Sequence, residues 1–352
     1  MSLNGALQIG RSGLMASQTA LQVVGSNLTN AATEGYTRRA VNLESKRDQS
    51  LGYGGQFIGR GVNVAGINRV VDEALQARIR TALGDEAAAE ARRNFFSQLE
   101  ALQYELSDND ISSMLSEFFN GWSELANNPE DGATRAIVVQ QGVSIASRIG
   151  SLRDDYELLR EQIDLQIFNT VESINDTVER IGRLNFEIAQ MEVESGEAAS
   201  LRDQRDVLIN ELSKHFAVDV IEMPSGSVNI LVNSLPIVLG PDAPGVEMRR
   251  RSDGGEVEVR LGIRGRGYDI IPQNGSLSAL LETRETGVNE AIEQLDFFAN
   301  ALISEVNRVH ASGQAQIPSN RYEGSVRVFL PDENLNFADV GLPNRVENGS
   351  FM

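Results

Sequence analysis

The stretch that decides the fold is residues 128–196, NPEDGATRAIVVQQGVSIASRIGSLRDDYELLREQIDLQIFNTVESINDTVERIGRLNFEIAQMEVESG. Apolar side chains recur along it from Val138 to Met191 about every 3.5 residues, which is the period of an α-helix. This spacing predicts one helix over about residues 133–194, roughly 90 Å long at the rise of an α-helix. A helix of that length is typical of an elongated structural protein and not of a domain that encloses a substrate.

The ends of this helix carry their own signals. Asn128 and Pro129 are followed by two acidic residues, which predicts a helix start with Asn128 as the cap and Pro129 in the first position. Gly196 predicts the end, because glycine readily adopts the backbone conformation that follows a helix.

Helical spacing also occurs on both sides of the long helix. It predicts further helices at about 72–106, 111–125, 198–214 and 277–309. From Phe216 to about Pro272 the period changes to two, with glycine-containing turns, which indicates a small antiparallel β domain inserted between helices. Residues 34–71 are glycine-rich and predict short strands or loops.

These patterns predict a mainly α fold, an elongated multi-helix rod with very long antiparallel helices and a small inserted antiparallel β domain. The predicted segments are an N-terminal heptad helix (1–33), a helical rod domain (34–215), the inserted β domain (216–272), a helix returning to the rod (273–311) and an irregular tail (312–352).

The N-terminal helix is unusual because it has a heptad stripe but almost no charge. Leu7, Leu14, Leu21 and Leu28 recur every seven positions, and Arg11 is the only charged residue before Glu34. Several glycines weaken the helix, and the stripe needs neighbours to offset the entropy of ordering the backbone. We therefore expect this segment to be disordered or weakly helical in the isolated chain.

Composition excludes several classes of function. The net charge is -19, so no nucleic-acid partner is expected, because phosphate binding requires a basic surface. The absence of cysteine removes disulfides, thiolate nucleophiles and sulfur-ligated metals. Residues 12–33 are uncharged but rich in polar side chains, and the N-terminus lacks the features of a secretory signal. We therefore predict no membrane insertion and no cleaved signal peptide.

The residues also provide no set of groups for catalysis, cofactor binding or metal binding. His215 and His310 lie far apart in the sequence, and neither is in a metal-binding spacing. The acidic run at residues 108–110 lacks the other ligands of a calcium loop and predicts a helix cap. Asp203, Arg205 and Asp206, close together on one helix, are interpreted as surface ion pairs. No catalytic residue, cofactor or metal is predicted.

One segment carries a specific resemblance. Residues 26–38, SNLTNAATEGYTR, resemble the N-terminal signature of flagellar rod, hook and junction proteins, with Thr29 in place of the usual alanine. Other segments are similar to the hook-associated protein 1 family of hook–filament junction proteins. They are Phe118–Trp122, Leu125–Pro129, Ala133–Arg135, Leu201–Asp206 and Val306–His310. The resemblance covers about residues 2–313.

The resemblance implies a structural role outside the cell. A protein of this family is exported unfolded through the flagellar type III apparatus, with a dedicated export chaperone, and assembles as a ring of copies at the distal hook. Its partners are the hook protein and the next junction protein toward the filament. Its N-terminal helix lines an axial tube against a C-terminal heptad helix, for which we find no counterpart here. We expect a fragment that lacks the C-terminal part; an atypical member is the alternative.

Ten residues form the predicted assembly interface. They are Leu7, Leu14, Leu21, Leu28, Asn27, Asn30, Thr33, Gly35, Tyr36 and Arg38. The leucines supply the heptad stripe, and the other six belong to the signature. Asn30 or Thr33 can bond the backbone of a turn, Gly35 permits a positive φ, and Tyr36 can anchor the turn against a neighbour.

Three other functions remain as alternatives. A hook or rod protein with an insertion shares the signature, but it is not expected to carry the long helical middle. A surface-displayed hydrolase on a flagellar scaffold requires catalytic residues in the β domain, which has no histidine beyond its edge at His215. A secreted coiled-coil effector, or a chaperone client of a related export system, would share the polar heptads but not the signature turn.

Overall fold

The computed structural model describes residues 3–50, 57–103, 110–253 and 256–311. Its helices are α1 (Leu3–Thr29), α2 (Glu73–Gln103), α3 (Ile111–Asn127), α4 (Gly132–Ser195), α5 (Ala199–Ser213), α6 (Gly275–Glu282) and α7 (Asn289–Ala311), with a π-helical segment at Thr283–Val288. Its strands are β1 (Arg39–Ser45), β2 (Gln49–Ser50), β3 (Phe57–Ile58), β4 (Val62–Arg69), β5 (Asp219–Glu222), β6 (Val228–Val232), β7 (Leu235–Leu239), β8 (Val246–Asp253), β9 (Glu256–Ile263) and β10 (Asp269–Ile270). The predicted mainly α fold with small antiparallel sheets is confirmed. The predicted tail, residues 312–352, lies outside the described residues.

The chain divides into two compact units. The first contains Met1–Phe96 and Gln162–Thr283, and it includes all the strands described above. The second contains Ser97–Glu161 and Arg284–Met352, and its described part is helical. In the second unit, Phe118, Val138 and Ile145 form an apolar core against which α7 packs Leu302 and Val306.

Helix α4 confirms the long helix predicted from the apolar spacing. It is 64 residues long. The buried apolar residues along it are Val138, Ile145, Leu152, Tyr156, Leu159, Ile163, Ile167, Val171, Ile174, Val178, Ile181 and Ile188. The seam weakens at its C-terminal end, where Met191 is half exposed.

The predicted cap of α4, Asn128, was wrong, although the predicted start near residue 133 is close to the observed Gly132. Asp131 is the residue whose carboxylate accepts hydrogen bonds from the backbone N–H groups of Ala133 and Thr134, at 3.2 and 3.1 Å. Asn128 instead ends α3, donating its N–H to Leu125. Two caps of similar type lie three residues apart, and composition alone did not distinguish them.

Strands β1 and β4 form an antiparallel ribbon in the first unit. Arg39 lies opposite Arg69 at one end, and Ser45 lies opposite Val62 at the other. The register shifts between Asn42 and Leu43, where β4 contains one extra residue. The shorter strands β2 and β3 pair with each other further along the same connection.

The predicted β domain consists of two separate three-stranded antiparallel sheets, in the orders β5-β6-β7 and β10-β9-β8. Its entry and exit are adjacent, because the N–H of Ala217 donates to the carbonyl of Gln273 at 2.7 Å. Asn175 and Asn185 of α4 hydrogen-bond backbone groups of both sheets, including Val246 and Val228. The sheets are therefore fastened to α4.

The single helix predicted between residues 273 and 311 is interrupted. The π-helical segment Thr283–Val288 separates α6 from α7. Leu277 and Val288 are nonetheless fully buried. A π-helical turn adds a residue to a turn and rotates the following face, and a count of apolar spacing does not reveal it.

Candidate assembly site

Helix α1 presents its leucine stripe away from the rest of the described chain. The exposed fractions of Leu7, Leu14, Leu21 and Leu28 are 72%, 72%, 73% and 77%. Another face of α1 contacts β1 and β4, and it buries Ala16. The leucine stripe thus has no partner among the described residues, while another face of the helix packs on the ribbon. Disorder of the isolated segment stays a prediction.

Asn27 joins the end of α1 to the start of β1. Its Nδ2 donates to the carbonyl of Arg39 at 2.9 Å, and its Oδ1 accepts from the N–H of Arg39 at 2.9 Å. The same oxygen accepts from the hydroxyl of Tyr36 at 2.8 Å. The side-chain amide therefore acts as a strand partner for the outer edge of β1.

The signature turn follows from local hydrogen bonds and one glycine. Asn30 Nδ2 donates to the carbonyl of Ser26 at 2.9 Å, and the N–H of Thr33 donates to the carbonyl of Asn30 at 2.9 Å. Gly35 has a φ of 76°, and a Cβ there would collide with Val207 of α5. Glycine is thus required both by the backbone conformation and by the close approach of α5.

Arg38 and Arg39 have different roles. The side chain of Arg38 is exposed, and only its carbonyl takes part in the ribbon, accepting from Val70 at 2.9 Å. The guanidinium of Arg39 lies 5.2 Å from the centre of the Tyr36 ring and 3.4 Å from Asp203. Arg39 therefore links the signature turn to α5 through a cation–π contact and an ion pair.

Arg69, at the end of β4, joins the ribbon to α5 through two ion pairs. Its Nε lies 2.9 Å from Asp203 Oδ1, and its Nη2 pairs with Asp206. Its backbone N–H donates to Glu197 at 2.8 Å. The Arg69 side chain is only 5% exposed, so this pairing takes place largely out of water.

The interpretation of Asp203, Arg205 and Asp206 as surface ion pairs was wrong for two of the three. Asp203 and Arg205 are buried. Arg205 donates to the Asn185 side chain at 3.1 Å and to the carbonyl of Gly226 at 2.7 Å, and burial lowers its pKa. This segment of α5 therefore joins the ribbon on one side to α4 and the β insertion on the other.

The structure brings most of the predicted signature residues together but adds others. Ser26, Asn30, Thr33, Gly35 and Tyr36 line a groove of about 830 Å³ whose opposite wall belongs to α4 and α5. Arg39, Arg69 and Glu197 were missed in the sequence. Asp203 and Asp206, one turn apart on α5, indicate that cationic side chains lie nearby. The sequence does not show which arginines pair with them.

Within the described ranges, no group of three or more histidine, aspartate or glutamate side chains could hold a metal ion, and no helix could span a membrane. His215 is half-buried and lies 3.1 Å from the Ser276 hydroxyl, while His310 is exposed. The contacts around the signature are ion pairs and hydrogen bonds that fix backbone positions.

Comparison with known families decides the identity of the chain. The family model described as the flagellar hook-associated protein FlgK helical domain matches residues 96–319. The chain belongs to the FlgK family. A second model, described as flagella basal body rod protein, matches residues 7–37, which contain the leucine stripe and most of the signature.

Relatives agree with this assignment to the FlgK family. The chain is 29% identical over 310 residues to flagellar hook-associated protein 1 of Salmonella typhimurium, aligning 86% of this chain with 56% of that protein. It is 28% identical over 342 residues to the protein of that name in Bacillus subtilis, with 87% and 67% covered. The chain thus spans little more than half the length of the Salmonella relative.

A solved structure shows a similar fold. The flagellar hook junction protein FlgK from Burkholderia pseudomallei superposes with a TM-score of 0.57 at 22% sequence identity. The match covers 67% of this chain and 44% of that structure.

Proposed function

We propose that this chain is part of a structural protein that joins the hook to the filament of the bacterial flagellum. The observation that carries the proposal is the match of the FlgK helical domain over residues 96–319, in a chain whose N-terminal helix exposes a continuous leucine stripe. The relatives are named flagellar hook-associated protein 1, and the solved structure with a similar fold is named a flagellar hook junction protein. The FlgK family favours this function over a hook or rod protein with an insertion.

The exposed stripe of α1 is the proposed assembly surface. Four leucines more than 70% exposed form a seam that a second helix covers at low cost, because no ions need to be buried with it. Asn27 fastens α1 to the ribbon and Arg69 fastens the ribbon to α5, so the stripe is presented in a defined orientation. The signature residues thus hold α1 in place against the ribbon and α5.

The proposed partners follow from the family. They are other copies of this chain in a ring, the hook protein, and the next junction protein toward the filament. The protein reaches its site outside the cell through the flagellar type III export apparatus with an export chaperone. It works without a cofactor and is not an enzyme. A surface hydrolase would require catalytic residues in the β insertion, whose sequence contains no cysteine and no histidine beyond its edge at His215.

The test is to locate the protein in a motile cell. A flagellated host lacking its own hook-associated protein 1 would express the complete protein that contains this chain, with a tag in the β insertion. We expect gold-labelled antibody to mark the distal end of the hook and motility to return. Label along the whole hook, or in the cytoplasm with intact export of other flagellar proteins, would contradict the proposal.

A further inference from the structure

Helix α2 carries an exposed seam that the described part of the chain leaves uncovered. Gly84, Ala88 and Phe95 form the buried face of this helix. On the opposite face, exposed residues recur at alternating intervals of four and three, which is the a/d spacing of a coiled coil. They are Leu75, Ile79, Ala82, Glu86, Ala89, Arg93 and Phe96. This face of α2 is therefore free for a second helix.

The leucine stripe of α1 belongs to a seam of the same kind. Three residues between the leucines complete the a/d spacing, and all of the seam is exposed. Its members are Leu7, Arg11, Leu14, Gln18, Leu21, Gly25 and Leu28. The buried face of α1, with Ala16 and Val23, lies on the other side of the helix. The seams also agree in length, since one runs from residue 7 to residue 28 and the other from residue 75 to residue 96.

The two seams are complementary in size when the helices run parallel and their first residues are level. Leu14 then faces Ala82, and Leu21 faces Ala89, so a large side chain meets a small one in both central apolar layers. Alternation of large and small residues across facing positions allows close packing. In an antiparallel pair, the apolar positions of one seam would face the polar positions of the other. The parallel direction is therefore favoured.

The same alignment brings the polar positions of the seams together. Gln18 faces Glu86, and a side-chain amide can donate a hydrogen bond to a carboxylate. Gly25 faces Arg93, and no atom lies within 4 Å of the place where a Cβ of Gly25 would be. The long side chain of Arg93 thus meets the one position of the α1 seam that has no side chain.

Neither helix adds to the electrostatic repulsion between copies. The chain carries a net charge of -19, but residues 73–96 contain four acidic and four basic side chains, and α1 contains only Arg11. In the parallel pair Arg11 faces Ile79, where its stem can lie along the apolar side chain while the guanidinium stays in water. Two copies with a large like charge associate most readily through surfaces of little net charge.

We propose that α1 of one copy packs in parallel on α2 of a second copy, with the leucine stripe against the exposed seam of α2. The inference rests on the ring of copies proposed above, and it names the contact between neighbours. Both seams are exposed within one copy, so the pairing takes place between copies. Each copy offers α1 to one neighbour and α2 to the other, which is the head-to-tail contact that generates rings.

Cysteine cross-linking tests this contact, because residues 1–352 contain no cysteine. The complete protein would carry Gly25→Cys together with Arg93→Cys, with any further cysteine replaced by serine, and isolated hooks would be treated with an oxidant. These positions face each other in the parallel pair, at a separation that a disulfide can span. We expect a ladder of covalent multimers on a denaturing gel, since each copy is linked to both neighbours.

Gly25→Cys together with Asn94→Cys is the matched control. Asn94 follows Arg93 and is also exposed, but it lies about 100° further around the helix. This pair should give about tenfold less multimer, because its sulfur atoms point apart. Equal ladders from the two pairs, or no ladder from the Gly25 and Arg93 pair in hooks that contain the protein, would overturn the inference.

A substitution on α2 separates this inference from the proposed function. Ala89→Glu places a charge opposite Leu21 and should reduce incorporation at the hook tip about tenfold or more, because the charge would be buried in the contact. Asn94→Glu, exposed but outside the seam, should leave incorporation unchanged. Normal incorporation of Ala89→Glu would show that another helix, such as one from the C-terminal part of the complete protein, covers the stripe. That result would overturn the inference and leave the junction function standing, whereas absence of the unmodified protein from the hook would refute the function itself.

Discussion

At the scale of single residues, Arg69 contributes two ion pairs to the attachment between the N-terminal ribbon and α5. Replacing it with glutamine leaves Asp203, which is 10% exposed at the side chain, without its closest cation. We expect Arg69→Gln to lower the free energy of unfolding by about 3 kcal/mol, because the largely buried Asp203 then keeps only the more distant Arg39, at 3.4 Å, and Asp206 loses its ion pair with Arg69. Urea unfolding followed by circular dichroism measures this.

Arg38→Gln is the control for Arg69→Gln, because the Arg38 side chain is exposed. It should change the free energy of unfolding by no more than about 0.5 kcal/mol. Equal effects of the two substitutions would show that the ion pairs of Arg69 do not hold the ribbon in place.

His215 should make the fold sensitive to mild acid. Burial lowers its pKa, with the charge of Glu211 opposing. The unfolded chain therefore binds a proton more readily than the folded chain does. The contribution of His215 to stability is complete above the ordinary histidine pKa of about 6.5 and is lost as the pH falls through the lower pKa of the folded state.

We predict that lowering the pH from about 7.5 to about 5.5 reduces the melting temperature less in His215→Gln than in the unmodified chain, because glutamine does not titrate over this range. The exposed His310 supplies the control, and His310→Gln should keep the full loss. A pH dependence that is identical in all three proteins would contradict the account of His215.

At the scale of elements, the helices and strands that show a regular apolar repeat were predicted from the sequence. Burial of one face gives α4 its helical repeat of apolar residues. Burial of one face of a strand likewise gives the alternation of apolar and polar residues after Phe216. The cap of α4 at Asp131 and the π-helical segment Thr283–Val288 were not predicted. They depend on which of several local hydrogen-bonding patterns the tertiary contacts stabilise.

Only those contacts of the candidate site that join residues close in the sequence were predicted. Residues 26–36 bond mostly to one another and to the adjacent Arg39, so the motif itself indicates the turn. Asp203 and Arg69 are far apart in the sequence, and their pairing depends on the packing of the ribbon against α5. The burial of Arg205 was missed because its partners are a side-chain amide and a backbone carbonyl, which no charge pattern reveals.

The β insertion has a stabilising role that its position in the sequence does not suggest. Adjacent entry and exit points make a dispensable module the natural expectation. The structure shows instead that Asn175, Asn185 and Arg205 hydrogen-bond backbone groups of the insertion. Removing the insertion would take these bonds away from buried polar groups, which is costly.

We therefore expect that replacing residues 217–272 with a short Gly/Ser linker lowers the midpoint of urea unfolding and speeds amide exchange in α4 near Asn175 and Asn185. Exchange in the second unit, near Ile145, should change little. Circular dichroism and residue-resolved exchange would measure both. An unchanged midpoint with unchanged exchange in α4 would show that the insertion is independent of the helix.

At the scale of the whole molecule, charge and apolar surface are distributed unevenly. The chain carries a net charge of -19, yet α1 has only Arg11 as a charged residue. Electrostatic repulsion keeps free copies of the chain apart in solution. A helix that is almost uncharged can nevertheless pack among several neighbours without burying ions. We infer that assembly depends on α1 and stability depends on the rest of the fold.

Substitution of a single stripe leucine tests that separation most directly. In the complete protein, Leu14→Asp should change the free energy of unfolding by less than about 0.5 kcal/mol, since Leu14 is 72% exposed. It should nevertheless abolish incorporation at the hook tip, counted by immunogold labelling of isolated hooks. Ala16→Asp, on the buried face of the same helix, should destabilise the chain. Normal incorporation of Leu14→Asp, or a large loss of its stability in solution, would contradict the account.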